Sequence, residues 1–111
     1  NAIITLTYDT GTTYKQIMAY KFIIPNVFTP NGDNYNDLFT IGTIGITNLD
    51  VEIYTRWGTK VYEFNTTYGA WDGKNFITGL DCTAGTYYYI IRARDIEGKE
   101  YNETGYITLI R

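Results

Sequence analysis

Between Asn31 and Asp37 the carboxylates of Asp33 and Asp37 and the amides of Asn31, Asn34 and Asn36 place hard oxygen donors around Gly32 in a tight loop. That is donor chemistry suited to Ca²⁺, and a calcium site would draw on Asn31, Asp33, Asn36 and Asp37. The stretch lacks the glutamate that completes a standard calcium loop, and Asn and Asp also build turns by bonding their own backbone. A self-capped turn is therefore the competing reading, and no firm metal or other cofactor is assigned. The two prolines, Pro25 and Pro30, bracket the approach to this loop. Each fixes its own φ and pushes the preceding residue out of helical space, so the backbone is stiff where the loop begins.

Acid–base catalysis would need two carboxyl groups in one cleft with separated pKa values, and Asp72 with Asp81 is the pair to consider. Their neighbours Gly73, Gly79 and Thr83 are turn residues, which favours ordinary loop carboxylates. Histidine is absent and Cys82 is the single cysteine, leaving neither an internal disulfide nor a Cys/His zinc cluster. Cys82 reads as a small buried hydrophobe, and the expectation is a protein that is not an enzyme. Trp57, Trp71 and the twelve tyrosines offer a different chemistry, because exposed ring faces stack on sugars. A carbohydrate-binding or adhesive module is thus the alternative reading, set against the use of such residues in core and cross-strand packing. The sequons Asn65-Thr66-Thr67 and Asn102-Glu103-Thr104 match a pattern too short to carry weight.

The chain that must position these residues has 111 of them, 44% hydrophobic, which suits one compact domain and is too short for a second. Its net charge of −3 is spread without any run of like charge, which supports neither a nucleic-acid stripe nor a polybasic membrane patch. No stretch approaches the roughly 18 uninterrupted apolar residues of a membrane helix, so the chain is not expected to span a membrane itself. It begins at Asn1 in strand-like sequence without a Met or a signal peptide, and is expected to be cut from a longer polypeptide.

Branched and aromatic residues punctuated by glycines predict strands joined by tight turns. Ala2 to Tyr8, the turn Asp9 to Thr12, and Thr13 to Phe22 read as a strand pair, either the edge of this domain or the remnant of a preceding one. Leu49 to Tyr54 alternates, with Leu49, Val51 and Ile53 on one face. Arg56 to Thr59 then turns the chain into Lys60 to Phe64, a hairpin. Asn65 to Asp81 is a longer connection whose Trp71 folds back onto the sheets. Thr86 to Arg94 is the clearest strand, apolar on both faces at its start, which predicts a central strand covered on both sides there. Asp95 to Lys99 turns into the last strand, Tyr101 to Ile110. The expected architecture is all-β, an immunoglobulin-like antiparallel β-sandwich of about seven strands.

Five segments in order carry a resemblance: Ile24-Pro25-Asn26-Val27-Phe28-Thr29-Pro30-Asn31-Gly32-Asp33, Tyr54-Thr55-Arg56-Trp57-Gly58, Trp71-Asp72-Gly73, Gly85-Thr86-Tyr87-Tyr88-Tyr89, and Gly105 to Arg111. Together they resemble the gliding motility-associated C-terminal domain, the type B sorting domain of the type IX secretion system, over residues 22–111. Asn34 stands where that family usually has Gly, and Asn is the next best residue for a left-handed backbone. Thr83-Ala84 stands where it usually has Pro-Ser, which softens the start of the following strand.

The resemblance implies a sorting label at the carboxyl end of a large surface protein, such as an adhesin, of a gliding Bacteroidetes-type bacterium. It further implies export through the periplasm and outer membrane to the cell surface, with the translocon and an outer-membrane barrel of the PorP/SprF type as partners. The surface expected to be recognised comprises Asn31, Gly32, Asp33, Asn36 and Asp37, the Arg56-Trp57-Gly58 turn, and the terminal Gly105, Tyr106, Ile107, Thr108, Leu109, Ile110 and Arg111. Trp71, Asp72, Gly73, Gly85, Thr86 and Tyr87 are expected to be structural. Docking by strand addition at the terminal strand, or by insertion into a barrel mouth, would suit such a label.

Overall fold

The computed structural model describes residues 22–111 and, ahead of them, the backbone of Ile3–Ile4 and Ala19–Tyr20. β1 (Ile3–Ile4) pairs antiparallel with β2 (Ala19–Tyr20), Ile3 opposite Tyr20. The rest of the strand pair expected over residues 1–21, with its turn at Asp9 to Thr12, lies outside the described residues. Short strands follow: β3 (Phe22–Ile23), β4 (Val27–Phe28), β5 (Phe39–Thr40) and β6 (Gly42–Thr43). Long ones come next, β7 (Ile46–Thr55) and β8 (Lys60–Phe64), then the short β9 (Ala70–Trp71), and finally β10 (Gly85–Asp95) and β11 (Glu100–Leu109).

Alternation of side chains decides the main sheet, whose order is β4-β11-β10-β7-β8. Tyr87, Tyr89, Ile91 and Ala93 of β10 face the core, as do Leu49, Val51 and Ile53 of β7 and Tyr101, Ile107 and Leu109 of β11. Ile46 is buried as well, although its spacing from Leu49 breaks strict alternation. A register shift at Arg94/Asp95 accounts for this, with the Thr47 hydroxyl donating to the Arg94 carbonyl at 3.2 Å. The turn between β10 and β11 is held by Asp95, which accepts from the backbone N–H groups of Glu97 and Lys99 and from the Tyr101 hydroxyl.

The opposing layer is not a continuous sheet. It consists of two-residue pairings, β3 with β6 and β5 with β9, filled in by aromatic rings. Pro25 and Pro30 supply no N–H in the segment that flanks β4, which limits its pairing there. Trp71 lies 5.2 Å from Phe28 and 5.2 Å from Tyr87, while Phe39 lies 5.9 Å from Tyr89, measured between ring centroids. Large rings bury enough area to hold a layer that backbone pairing alone would not.

β10 is central, as its composition predicts, but among the described residues no second layer covers its outer face at the start. Tyr88 stacks on Tyr54 of β7 at 5.2 Å and meets Tyr106 of β11 edge-on at 6.4 Å, so neighbours within the sheet half-bury it. The expectation of cover on both sides is corrected accordingly.

Candidate functional site

Strand register brings four of the motifs to one end of the sheet, and Arg111 ties the fifth, Trp71-Asp72-Gly73, to them. Gly85 at the start of β10 lies opposite Leu109 at the end of β11, and Tyr87 lies opposite Thr55 at the end of β7. β4 runs parallel to β11 with Phe28 beside Leu109, so the loop after it leaves from the same end. At about 4.8 Å per strand, the rim from β4 to β7 spans roughly 14 Å.

The loop from Thr29 to Asp37 closes on itself. Thr29 N–H donates to the Asn36 carbonyl at 2.7 Å, and Asn34 and Asn36 take left-handed backbone at φ 69 and 53. Asn34 thus holds the left-handed backbone for which Asn is the next best residue after Gly. Asp37 is its hub: one carboxylate oxygen accepts from the N–H groups of Asn31 and Gly32, the other from that of Asn34. Loss of solvation acts to raise the Asp37 carboxyl, but the N–H groups of Asn34, Gly32, Asn31 and Asp33 outweigh it and hold the group below its ordinary value. Asn31 Oδ1 accepts from Asp33 N–H, and Asp33 Oδ1 from Tyr35 N–H. These oxygens are directed at the loop's own backbone, the geometry of a self-capped turn. Among the described residues no group of three or more His, Cys, Asp or Glu converges as a metal site would require.

Trp71-Asp72-Gly73 sits behind this loop. Trp71 is fully buried, so it belongs to no exposed ring platform, and its indole N–H donates to the Lys74 carbonyl at 2.9 Å. Asp72 accepts from Lys74 N–H at 3.0 Å, and Asp81 forms an ion pair with Lys74 at 3.0 Å. Hydrogen bonding and charge from Lys74, with the charge of Arg111, lower the Asp81 pKa. Each carboxylate is thereby engaged with its own turn.

Arg111 binds the rim together. Its guanidinium donates to the Cys82 carbonyl at 2.9 Å, to the Gly73 carbonyl at 2.9 Å and, at 3.5 Å, to the Pro30 carbonyl. Gly73 has φ +84, and a Cβ there would stand 3.1 Å from both the Arg111 guanidinium and the Pro30 ring. Only glycine fits this position without displacing them. Cys82 is buried, and burial raises its thiol pKa despite the nearby Arg111 charge. Nothing in the sequence marks Arg111 for this task, because its targets are backbone carbonyls, which every residue carries.

The terminal strand divides between core and surface. Ile107 and Leu109 are buried, whereas Tyr106 and Ile110 are exposed and Thr108 is half-buried. A Cβ on Gly105 would run into the Tyr89 ring lying across it. Nor is the end of β11 a free edge: Thr108 and Ile110 N–H groups donate to the Asn26 and Phe28 carbonyls of the β4 segment, each at 3.0 Å. At the far side of the rim Trp57 is 83% exposed with Arg56 stacked 5.3 Å from its ring, and Thr55 Oγ1 accepts from Trp57 and Thr59 N–H to fix the turn. Tyr87 closes the base of the rim, its hydroxyl donating to the Thr83 carbonyl at 2.6 Å. Gly85 and Thr86 open β10 beside it, both exposed.

The protein is a folded all-β module whose separated motifs assemble into one rim, with Asp37, Asp72 and Asp81 engaged in turns. The chain belongs to the CHU_C type IX secretion signal domain family, which matches residues 22–109. It is thereby a secretion signal domain, one that directs the protein carrying it to the type IX system and toward the cell surface. No curated protein matches the chain. Among the described residues no helix is long and apolar enough to cross a membrane.

Proposed function

We propose that this domain is a sorting and docking label: it carries a large cargo protein through the type IX translocon and retains it at the surface by seating on an outer-membrane barrel of the PorP/SprF type. Convergence of five sequence motifs on one rim is the observation that supports docking, since packing alone gives no reason to gather the exposed Arg56-Trp57-Gly58 turn, the Asn31–Asp37 loop and Ile110 at the same end. The recognised surface in this reading is the rim with the outward side chains of the last strand, while Ile107 and Leu109 serve the core.

The test is to fuse the 111-residue chain to the carboxyl end of a secreted fluorescent reporter in a bacterium possessing a type IX system. Surface fluorescence dependent on the translocon is expected. Retention of a stably folded fusion in the periplasm would overturn the proposal. Deletion of the last six residues is a poor substitute, because it removes Ile107 and Leu109 from the core and so tests folding.

A further inference from the structure

The rim contains a cleft of about 300 Å³ between the Arg56–Gly58 turn and the segment Thr83–Thr86, with Tyr87 at its base. No Asp or Glu lines it. Lys60, Lys74, Arg92, Arg94 and Arg111 each lie within ion-pair distance of a carboxylate, whereas among the described residues the Arg56 and Lys99 side chains have no carboxylate partner and lie over the Trp57 and Tyr101 rings, and of these two only Arg56 lines the cleft. In a chain of net charge −3, Arg56 is thus a positive charge that no carboxylate among the described residues balances. It is also preorganised, because the Thr55 hydroxyl and the Gly58 N–H bond to the Thr55 carbonyl fix the turn. A cation over an indole is held there by the ring quadrupole, and no described residue accepts from the Arg56 guanidinium, whose N–H fork is suited to gripping a carboxylate.

We propose that this cleft is the docking site for an extended acidic segment of the sorting partner, with Arg56 holding a carboxylate and the exposed face of Trp57 covering a neighbouring apolar side chain. The inference rests on the sorting reading above and names the chemistry of the partner. Charge complementarity selects the occupant: a single arginine beside an indole suits one carboxylate in a peptide, whereas an anionic lipid surface requires a cluster of cations. Thr55, Thr83 and Thr86 line the cleft with short polar side chains.

Two measurements test it. The 111-residue chain is titrated with a peptide of alternating Glu and Leu, with its Gln–Leu counterpart and with inorganic phosphate, following protection of Trp57 fluorescence from acrylamide while buried Trp71 supplies a constant background. The Glu peptide should protect Trp57 with an affinity that falls with salt, the Gln peptide should bind at least about ten-fold more weakly, and Arg56→Gln should remove the difference. Equal binding of the two peptides, or full competition by phosphate, would overturn the proposal. In cells, reporter fusions bearing Arg56→Gln or Trp57→Ala should lose surface delivery while melting as the parent does, with Arg56→Lys intermediate because it loses the bidentate fork. Normal delivery of Arg56→Gln beside a delivered parent sinks this inference and leaves the sorting role standing. If the parent itself is not delivered, the sorting role falls and the peptide titration decides the cleft alone.

Discussion

Arg111 donates to the carbonyl of Gly73 at 2.9 Å, joining the final residue of the sequence to the Trp-Asp-Gly turn 38 positions earlier. Its guanidinium also reaches the Cys82 carbonyl, so one side chain serves two turns that would otherwise meet the rim independently. Replacing Arg111 by Ala should lower stability by about 1.5–3 kcal/mol in urea unfolding, the range for hydrogen bonds involving a charged group. Arg111→Lys should recover only part of this, because an ammonium does not reproduce the fork. Gly73→Ala acts on the same contact through φ and crowding, and the double variant should show less than the sum of the two losses.

The Asp37 hub makes an acid-sensitive contribution. Its folded-state pKa lies below the ordinary 3.8, so the stabilisation is fully present above about that pH and is lost as pH falls below it toward the folded-state value. The melting temperature of the parent should therefore fall more steeply below pH 4 than that of Asp37→Asn, which has no such proton to bind. At neutral pH Asp37→Asn should be the less stable of the two. Coincident curves at all pH values would show that the carboxylate does not organise the loop.

Calcium should leave the melting temperature unchanged between an excess of Ca²⁺ and an excess of chelator. The loop oxygens of Asn31, Asp33 and Asp37 already accept backbone N–H groups, and a ligand that bound only the folded chain would raise the midpoint by mass action. A concentration-dependent rise would instead establish the metal site that the loop's composition suggests.

Adjacent residues of the last strand should separate stability from recognition. Ile107 is fully buried, and Ile107→Ala should cost about 2–5 kcal/mol, the range for truncating a packed aliphatic side chain. Tyr106 is 68% exposed, and Tyr106→Ala should cost less than about 1 kcal/mol, mostly through its edge contact with Tyr88. Reporter delivery measured on Tyr106→Ala then reads the surface without the confounding loss of fold.

Much of this was legible in the residues. The alternation of Leu49, Val51 and Ile53, and of Tyr87 to Ala93, reports a core face directly because a strand has only two sides. The turns at Arg56–Thr59 and Asp95–Lys99 announce themselves through Gly58 and Gly98. Ile46 was hidden by a bulge, which inserts a residue and shifts the phase of everything before it. The parallel pairing of β4 with β11 was hidden because two residues carry no period. For the rim, Asp37 and Asn34 could be read as turn builders, whereas Arg111 could not be assigned partners. Tyrosine was ambiguous for a different reason: Tyr88 half-buried on Tyr54 and Tyr89 buried over Gly105 are the same residue type on opposite sides of one strand.

The position of β11 between β4 and β10 also governs when the domain can exist during synthesis. Val27–Phe28 emerges from the ribosome early and finds its sheet neighbour only after Glu100–Leu109 has been made. A chain broken anywhere upstream of Glu100 lacks the strand that both β4 and β10 pair with, so the main sheet closes only once the last of its strands has been made.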